Sequence, residues 1–138
     1  MDIPAKCPSG VTEHLHESFG IFFMDSGSAL NSIRAAVEVL LTDMGIKRSS
    51  VVKNKRRSLS LHQRINLLPA RFQELKELIL AVKWLGNAGS HSGPEPTAGD
   101  VRVAYDMLEH VLSEIYEEKT KKLKAVAKSV NKRKGPVK

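Results

Sequence analysis

Apolar residues recur every three or four positions along most of the chain, the spacing of helices that bury one face. Leu30, Ile33, Val37, Leu40, Leu41 and Met44 form a long stripe, and Gly45 follows where a left-handed residue would end the helix. Residues 11–24 read as a shorter first helix, broken by Asp25-Ser26-Gly27-Ser28, which also caps the next one. Ser60 and Gln63 have the spacing of a capping box for a short helix to residue 68. Pro69 suits the first helical position of a third long helix, whose stripe is Leu75, Leu78, Ile79, Val82 and Leu85. Thr97 and Asp100 form a second capping box, followed by Val101, Ala104, Leu108, Val111, Leu112, Ile115 and Tyr116.

That last stripe continues through Leu123, Val126 and Val130. A helix over 97–130 would be about 50 Å long, against about 25 Å for the other long helices. Its second half must overhang the bundle, fray, or pack on something outside the chain. Residues 46–58 are nearly devoid of apolar period and read as a loop, and no Val/Ile-rich alternating run reads as a strand. The fold expected is all-α: an up-and-down bundle of about four to five helices with an extended basic C-terminal helix.

Charge sharpens this picture. The 138 residues carry a net +7, but residues 119–138 hold nine Lys/Arg and residues 47–57 hold six, neither segment with any acid. The remainder holds seven basic and fifteen acidic residues, so an acidic body carries a basic loop and a basic tail. Segregation of this kind points to a polyanionic partner. The expected division is an N-terminal extension over 1–10, a helical domain over 11–118 and a basic tail over 119–138. No apolar run approaches the ~20 residues of a membrane span. No secretory leader is visible, and the lone Cys7 excludes an internal disulfide framework. A cytoplasmic location is the expectation.

The most informative run is Lys83-Trp84-Leu85-Gly86-Asn87-Ala88-Gly89-Ser90-His91, a helix end at a glycine with Asn and His four apart among small residues. With Arg34-Ala35-Ala36-Val37-Glu38 and Leu61-His62-Gln63-Arg64-Ile65, it resembles the bacterial domain-of-unknown-function family numbered 4145, over roughly residues 11–117. That family in turn resembles the HEPN group of helical bundles. The resemblance implies homodimerisation and a setting in restriction or anti-phage defence. It also implies the metal-independent ribonuclease activity frequent among HEPN domains. Their catalytic pattern places an Arg before the His with four to six residues between. Counted back from His91 those positions are Gly86, Leu85 and Trp84, none basic.

Metal-free RNA cleavage needs a base for the 2′-hydroxyl and a cation for the developing phosphate charge. His91 can serve as base or acid. The cation must then come from Lys83, Arg34 or Arg64, so His91, Asn87 and Lys83 are the candidate catalytic set, with Arg34, Glu38 and Arg64 as possible support. The plainer reading makes Asn87 and His91 a loop lock, and Arg34–Glu38 a helix-surface ion pair. Ala35 and Ala36 nevertheless leave Arg34 room to reach the His91 loop. His14 and His16 diverge on one helix, and Cys7 has no partner at ligand spacing, so no metal or other cofactor is called for. Trp84 reads as a core or interface anchor rather than a base-stacking residue, and Phe19, Phe22 and Phe23 as core or dimer contacts.

Candidate nucleic-acid contacts are Lys47, Arg48, Lys53, Lys55, Arg56 and Arg57 in the loop, and Lys121, Lys122, Lys124, Lys128, Lys132, Arg133 and Lys134 in the tail. The functional expectation is a homodimeric binding and assembly module that holds RNA, DNA or a restriction or toxin–antitoxin partner protein, with weak or no catalysis. A ribonuclease centred on His91 is the alternative. A peripheral membrane role is disfavoured, because one weak basic helix anchors poorly.

Overall fold

The computed structural model describes residues 1–87 and 94–136, and for 118–121 the backbone alone. The elements in order are α1 (Ser9–Ile21), α2 (Ser26–Asp43), β1 (Ser49–Val52), β2 (Lys55–Ser58), α3 (Leu61–Asn66), a 3-10 turn (Ala70–Phe72) and α4 (Gln73–Asn87), then α5 (Ala98–Leu112), a π-helical turn (Ser113–Glu117) and α6 (Glu118–Arg133). The chain is an all-α bundle with one small antiparallel hairpin attached.

Helix α2 is the centre of the bundle. Ala29, Leu30, Ile33, Ala36, Val37, Leu40 and Leu41 are all buried, an arc broad enough for α1, α3, α4 and α5 to pack around it. Val11 and Leu15 of α1, Ile79 and Val82 of α4, and Val101, Leu108 and Leu112 of α5 complete the core. One buried polar group ties three helices together. Ser18 Oγ donates to the Ala29 carbonyl at 2.9 Å and lies 2.6 Å from the Tyr105 hydroxyl, with the Phe19 ring edge-on to Tyr105. A buried hydroxyl left without such partners would cost about 1–3 kcal/mol.

The punctuation expected from the sequence is present. Asp25 accepts from the Ser28 amide, and both capping boxes, Ser60–Gln63 and Thr97–Asp100, close in both directions. Gly45 has φ 85°, and beyond it the Ile46 amide donates to the Leu41 carbonyl, so α2 ends in a Schellman turn.

Three expectations are corrected. Helix α1 stops at Ile21, leaving Phe23 and Met24 exposed in the turn rather than in the helix. Pro69 does not open α4 directly; a 3-10 turn intervenes and α4 starts at Gln73. Residues 46–58 are not simply a loop. Lys53 and Asn54 both adopt positive φ, 51° and 61°, the conformation of a type I′ turn, and Ser49 pairs with Ser58 through to Val52 with Lys55. The strands were invisible because their sequences, Ser-Ser-Val-Val and Lys-Arg-Arg-Ser, carry no apolar alternation and six of the eight residues are exposed.

From Ala98 to Arg133 the backbone is continuously helical, interrupted in register only by the π turn. Every described side chain of α6 is exposed, so the second half of this long helix overhangs the bundle. No helix among the described residues is long and apolar enough to cross a membrane.

Candidate functional site

The end of α4 meets α2 at a glycine. A Cβ on Gly86 would lie 3.3 Å from Arg34 Cβ and 3.5 Å from the Leu30 carbonyl, so the missing side chain lets the two helices approach. Arg34 therefore runs across Gly86, and its Nη1 donates to Asn87 Oδ1 at 2.9 Å. The expected surface pair with Glu38 is not made. Arg34 turns to α4 instead, and His14–Glu17 is the one ion pair among the described residues. A guanidinium thus stands at the last residue of α4, packed against Gly86. His91 lies outside the described residues.

Lys83 takes a different environment. It is buried, with Nζ 3.2 Å from His62 Nδ1 and 3.6 Å from the centre of the Trp84 ring. Trp84, expected to be a core or interface anchor, is 59% exposed and so is not a core residue. Its indole roofs the lysine, an arrangement in which the ring face stabilises the ammonium electrostatically. His62, absent from the expected site residues, is brought in by α3; only the packing of α3 against α4 brings it to Lys83.

Arg64 is a structural residue of the α2 terminus. It is 5% exposed, and its guanidinium donates to the carbonyls of Glu38, Ile46 and Lys47 and to Thr42 Oγ1, at 2.9–3.2 Å. These bonds tie α3 to α2 and satisfy the Ile46 and Lys47 carbonyls in the segment beyond the helix end. Burial lowers its pKa from the usual value, the positive charge of Arg48 lowers it further, and Glu38 opposes both. The side chain nonetheless stays charged at neutral pH.

The other titratable residues do not converge. His14 pairs with Glu17 at 3.4 Å, while the His16 ring stacks edge-on against Phe19. The Cys7 thiol is pushed up chiefly by burial, against a hydrogen bond from Thr12, which keeps it in the unreactive thiol form. Phe19 and Phe22 pack against the core, whereas Phe23 is exposed.

The basic residues form two separate surfaces. Lys47, Arg48, Lys53, Lys55, Arg56 and Arg57 are all exposed on or beside the hairpin. Lys122, Lys124, Lys128, Lys132, Arg133 and Lys134 are exposed along and just past α6, and Lys121 belongs to the same helix. Among the described residues none of these cations has a carboxylate within ion-pair distance. Lys124, Lys128 and Lys132 succeed one another at four-residue spacing, where like charges destabilise a helix by about 0.2–0.5 kcal/mol per pair. The lysines were legible in the sequence. Which of them share a surface was decided by the hairpin and the overhang.

No curated protein and no solved structure matches the chain. One family model does, that of a domain of unknown function (DUF4145), over residues 16–133. The match takes in the Arg34–Gly86–Asn87 junction, the hairpin and all of α6 as far as Arg133, and on this ground the chain belongs to the DUF4145 family.

Proposed function

We propose that this chain is a HEPN-like, homodimeric binding module that associates with nucleic acid in a defence setting, with weak or no catalysis. The carrying observation is α6: a helix rich in lysine, with no described side chain buried and no ion pair among the described residues, projecting from the bundle. Repulsion between its lysines works against the helix, and a short helix without tertiary packing is marginal in water. A phosphate backbone along it would relieve that repulsion and release counterions.

The test is binding of single-stranded RNA and duplex DNA to the full chain and to a chain ending at Glu118, at about 50 mM and about 200 mM salt. Truncation is expected to weaken binding by about tenfold or more and to flatten the salt dependence. Equal affinity in the two chains removes α6 from the mechanism, and absence of binding by both ends the nucleic-acid reading. Sedimentation at micromolar concentration tests the dimer; a monomer of about 15 kDa refutes it.

A specific observation favours a second reading, a metal-independent ribonuclease centred on His91. The Arg34–Asn87 bond holds a guanidinium at Asn87, four positions before His91 in sequence, and this chemistry requires such a cation. Metal-free RNA cleavage by the parent, lost in both His91→Ala and Arg34→Ala, would establish it. Cleavage that survives Arg34→Ala and fails in Lys83→Ala would transfer the role to Lys83.

A further inference from the structure

The hairpin does more than carry charge. It folds back so that a cleft of about 1120 Å³ opens between it and the flank of α2, slightly above the roughly 300–1,000 Å³ usual for small-molecule sites. The register fixes which hairpin residues face the cleft. Ser49, Arg56 and Ser58 share one face of the pleat and line it, whereas Lys55 and Arg57 belong to the opposite face. Arg48 enters from the segment before β1, and Arg64 from α3.

Three guanidiniums therefore border one cavity with a single carboxylate, Glu38, and the imidazole of His14. Arg64 is locked by its four hydrogen bonds, while Arg48 and Arg56 have no carboxylate within ion-pair distance among the described residues. The positive charge of Arg48 also lowers the pKa of Arg64, after the larger effect of burial. The Ser49 and Ser58 hydroxyls, opposite each other in the register, add donors at the same wall. Apart from Thr42, whose hydroxyl accepts from Arg64, the rest of the lining is apolar: Ala35, Val39, Leu59 and Leu61. A cavity much larger than an inorganic anion, lined by guanidiniums and hydroxyls together with apolar side chains, suits an anion that carries an apolar body.

We infer that this cleft is a nucleoside-phosphate site. Arg48, Arg56 and the two serine hydroxyls take the phosphate, Arg64 supplies a fixed positive charge behind them, and the Ala35–Val39–Leu59 side takes the sugar and base. The phosphate belongs either to a free mononucleotide or to one nucleotide of a strand, and in the second case the site deepens the proposed function and rests on it. A strand crossing the cleft would gain directional contacts that the flexible lysines of α6 do not provide, since a guanidinium fork binds phosphate in two-point fashion.

The experiment titrates the full chain, at low salt, with AMP, with inorganic phosphate and with a six-nucleotide single-stranded RNA, by calorimetry and amide-resolved NMR. It is repeated on Arg48→Ala/Arg56→Ala, on Arg56→Glu, and on Lys124→Gln/Lys128→Gln/Lys132→Gln. Arg48 and Arg56 are exposed, so thermal unfolding should be unchanged in their variants. Shifts at Ser49, Ser58 and Ala35 on adding AMP or the hexamer, with affinity at least about tenfold weaker in both arginine variants, are the expected result. AMP binding marks a free nucleotide as a ligand, and binding of the hexamer alone marks a strand.

No binding of either ligand, or equal binding by the arginine variants, overturns the site. Inorganic phosphate binding as tightly as AMP overturns the nucleoside assignment. The lysine variant separates this inference from the proposed function. Loss of hexamer affinity there with AMP shifts intact upholds both, while unchanged hexamer affinity there refutes the role of α6 and leaves the cleft standing.

Discussion

Helices α5 and α6 are two halves of one continuous helix, and both carry an apolar residue every three or four positions. Val101, Ala104, Leu108, Val111 and Leu112 of α5 are buried to 0% exposure, whereas Leu123, Val126 and Val130 of α6 are exposed to 58%, 55% and 38%. The difference comes from what lies alongside. α5 is flanked by α2 and α4, while α6 touches little beyond the π turn that precedes it. The turn matters as well. A π turn sets the following helix back by about one residue, or about 100° of rotation, so the stripe of α6 no longer continues the stripe of α5. Tyr116 pins this joint through a 2.6 Å hydrogen bond from its hydroxyl to Asp43 Oδ2 at the end of α2. Equal periodicity thus stabilises the fold in one half and is left available to a partner in the other.

The sharpest way to test that contrast is truncation of one leucine in each half. Leu108→Ala should cost about 2–5 kcal/mol in urea unfolding, the cost of a core cavity. Leu123→Ala should move the same midpoint by less than about 0.5 kcal/mol, as for a surface change. A comparable loss at Leu123 would mean that α6 is packed in solution, on a second copy or on the bundle, and the contrast would break.

At the start of α5 the side chain of Thr97 accepts from the Asp100 amide, and Asp100 accepts from the Thr97 amide. Thr97→Ala should cost about 1 kcal/mol of global stability, read by thermal unfolding. Helix α6 has no side-chain cap at Glu117, whose carboxylate accepts only an exposed hydrogen bond from Ser113, so Glu117→Ala should move stability by less than about 0.5 kcal/mol.

The joint supplies a pH test. Burial, and then the bond to Asp43, hold the Tyr116 phenol far above its ordinary range, and burial raises Tyr105 against the opposing bond with Ser18. A folded-state value above the unfolded one contributes stability that is full below about pH 10 and lost as pH rises beyond it, because the unfolded chain releases the proton first. Tyr116→Phe should cost about 1 kcal/mol at pH 8. It should also reduce the fall in stability between about pH 9 and pH 11, measured as urea midpoints. An unchanged pH slope would show that the joint is not buried in solution.

The smallest effect expected is in amide exchange. The α6 amides should exchange at the rate of local fraying, and those of α5 only through global opening, since the two differ in tertiary packing and not in backbone hydrogen bonding. Addition of a strand that binds α6 should slow the first set and leave the second unchanged.

The amino-acid sequence alone makes the helical class, the caps and the core stripes legible, because these depend on residues three and four apart that the chain must place together. Thr97 with Asp100, Ser60 with Gln63 and the glycine at 45 are local devices, and they are realised where the spacing put them. It determined too that positive charge gathers in two segments. The tertiary structure alone decided that 49–58 is a hairpin, since its stability depends on the Lys53–Asn54 turn and cross-strand pairing rather than on an apolar face. It alone turned Arg34 from Glu38 to Asn87, through the contact that Gly86 permits between helices 53 positions apart in sequence. The union of Lys83, His62 and Trp84 was illegible for the same reason: hydrophobic period specifies which face of a helix is buried, but not which neighbour covers it.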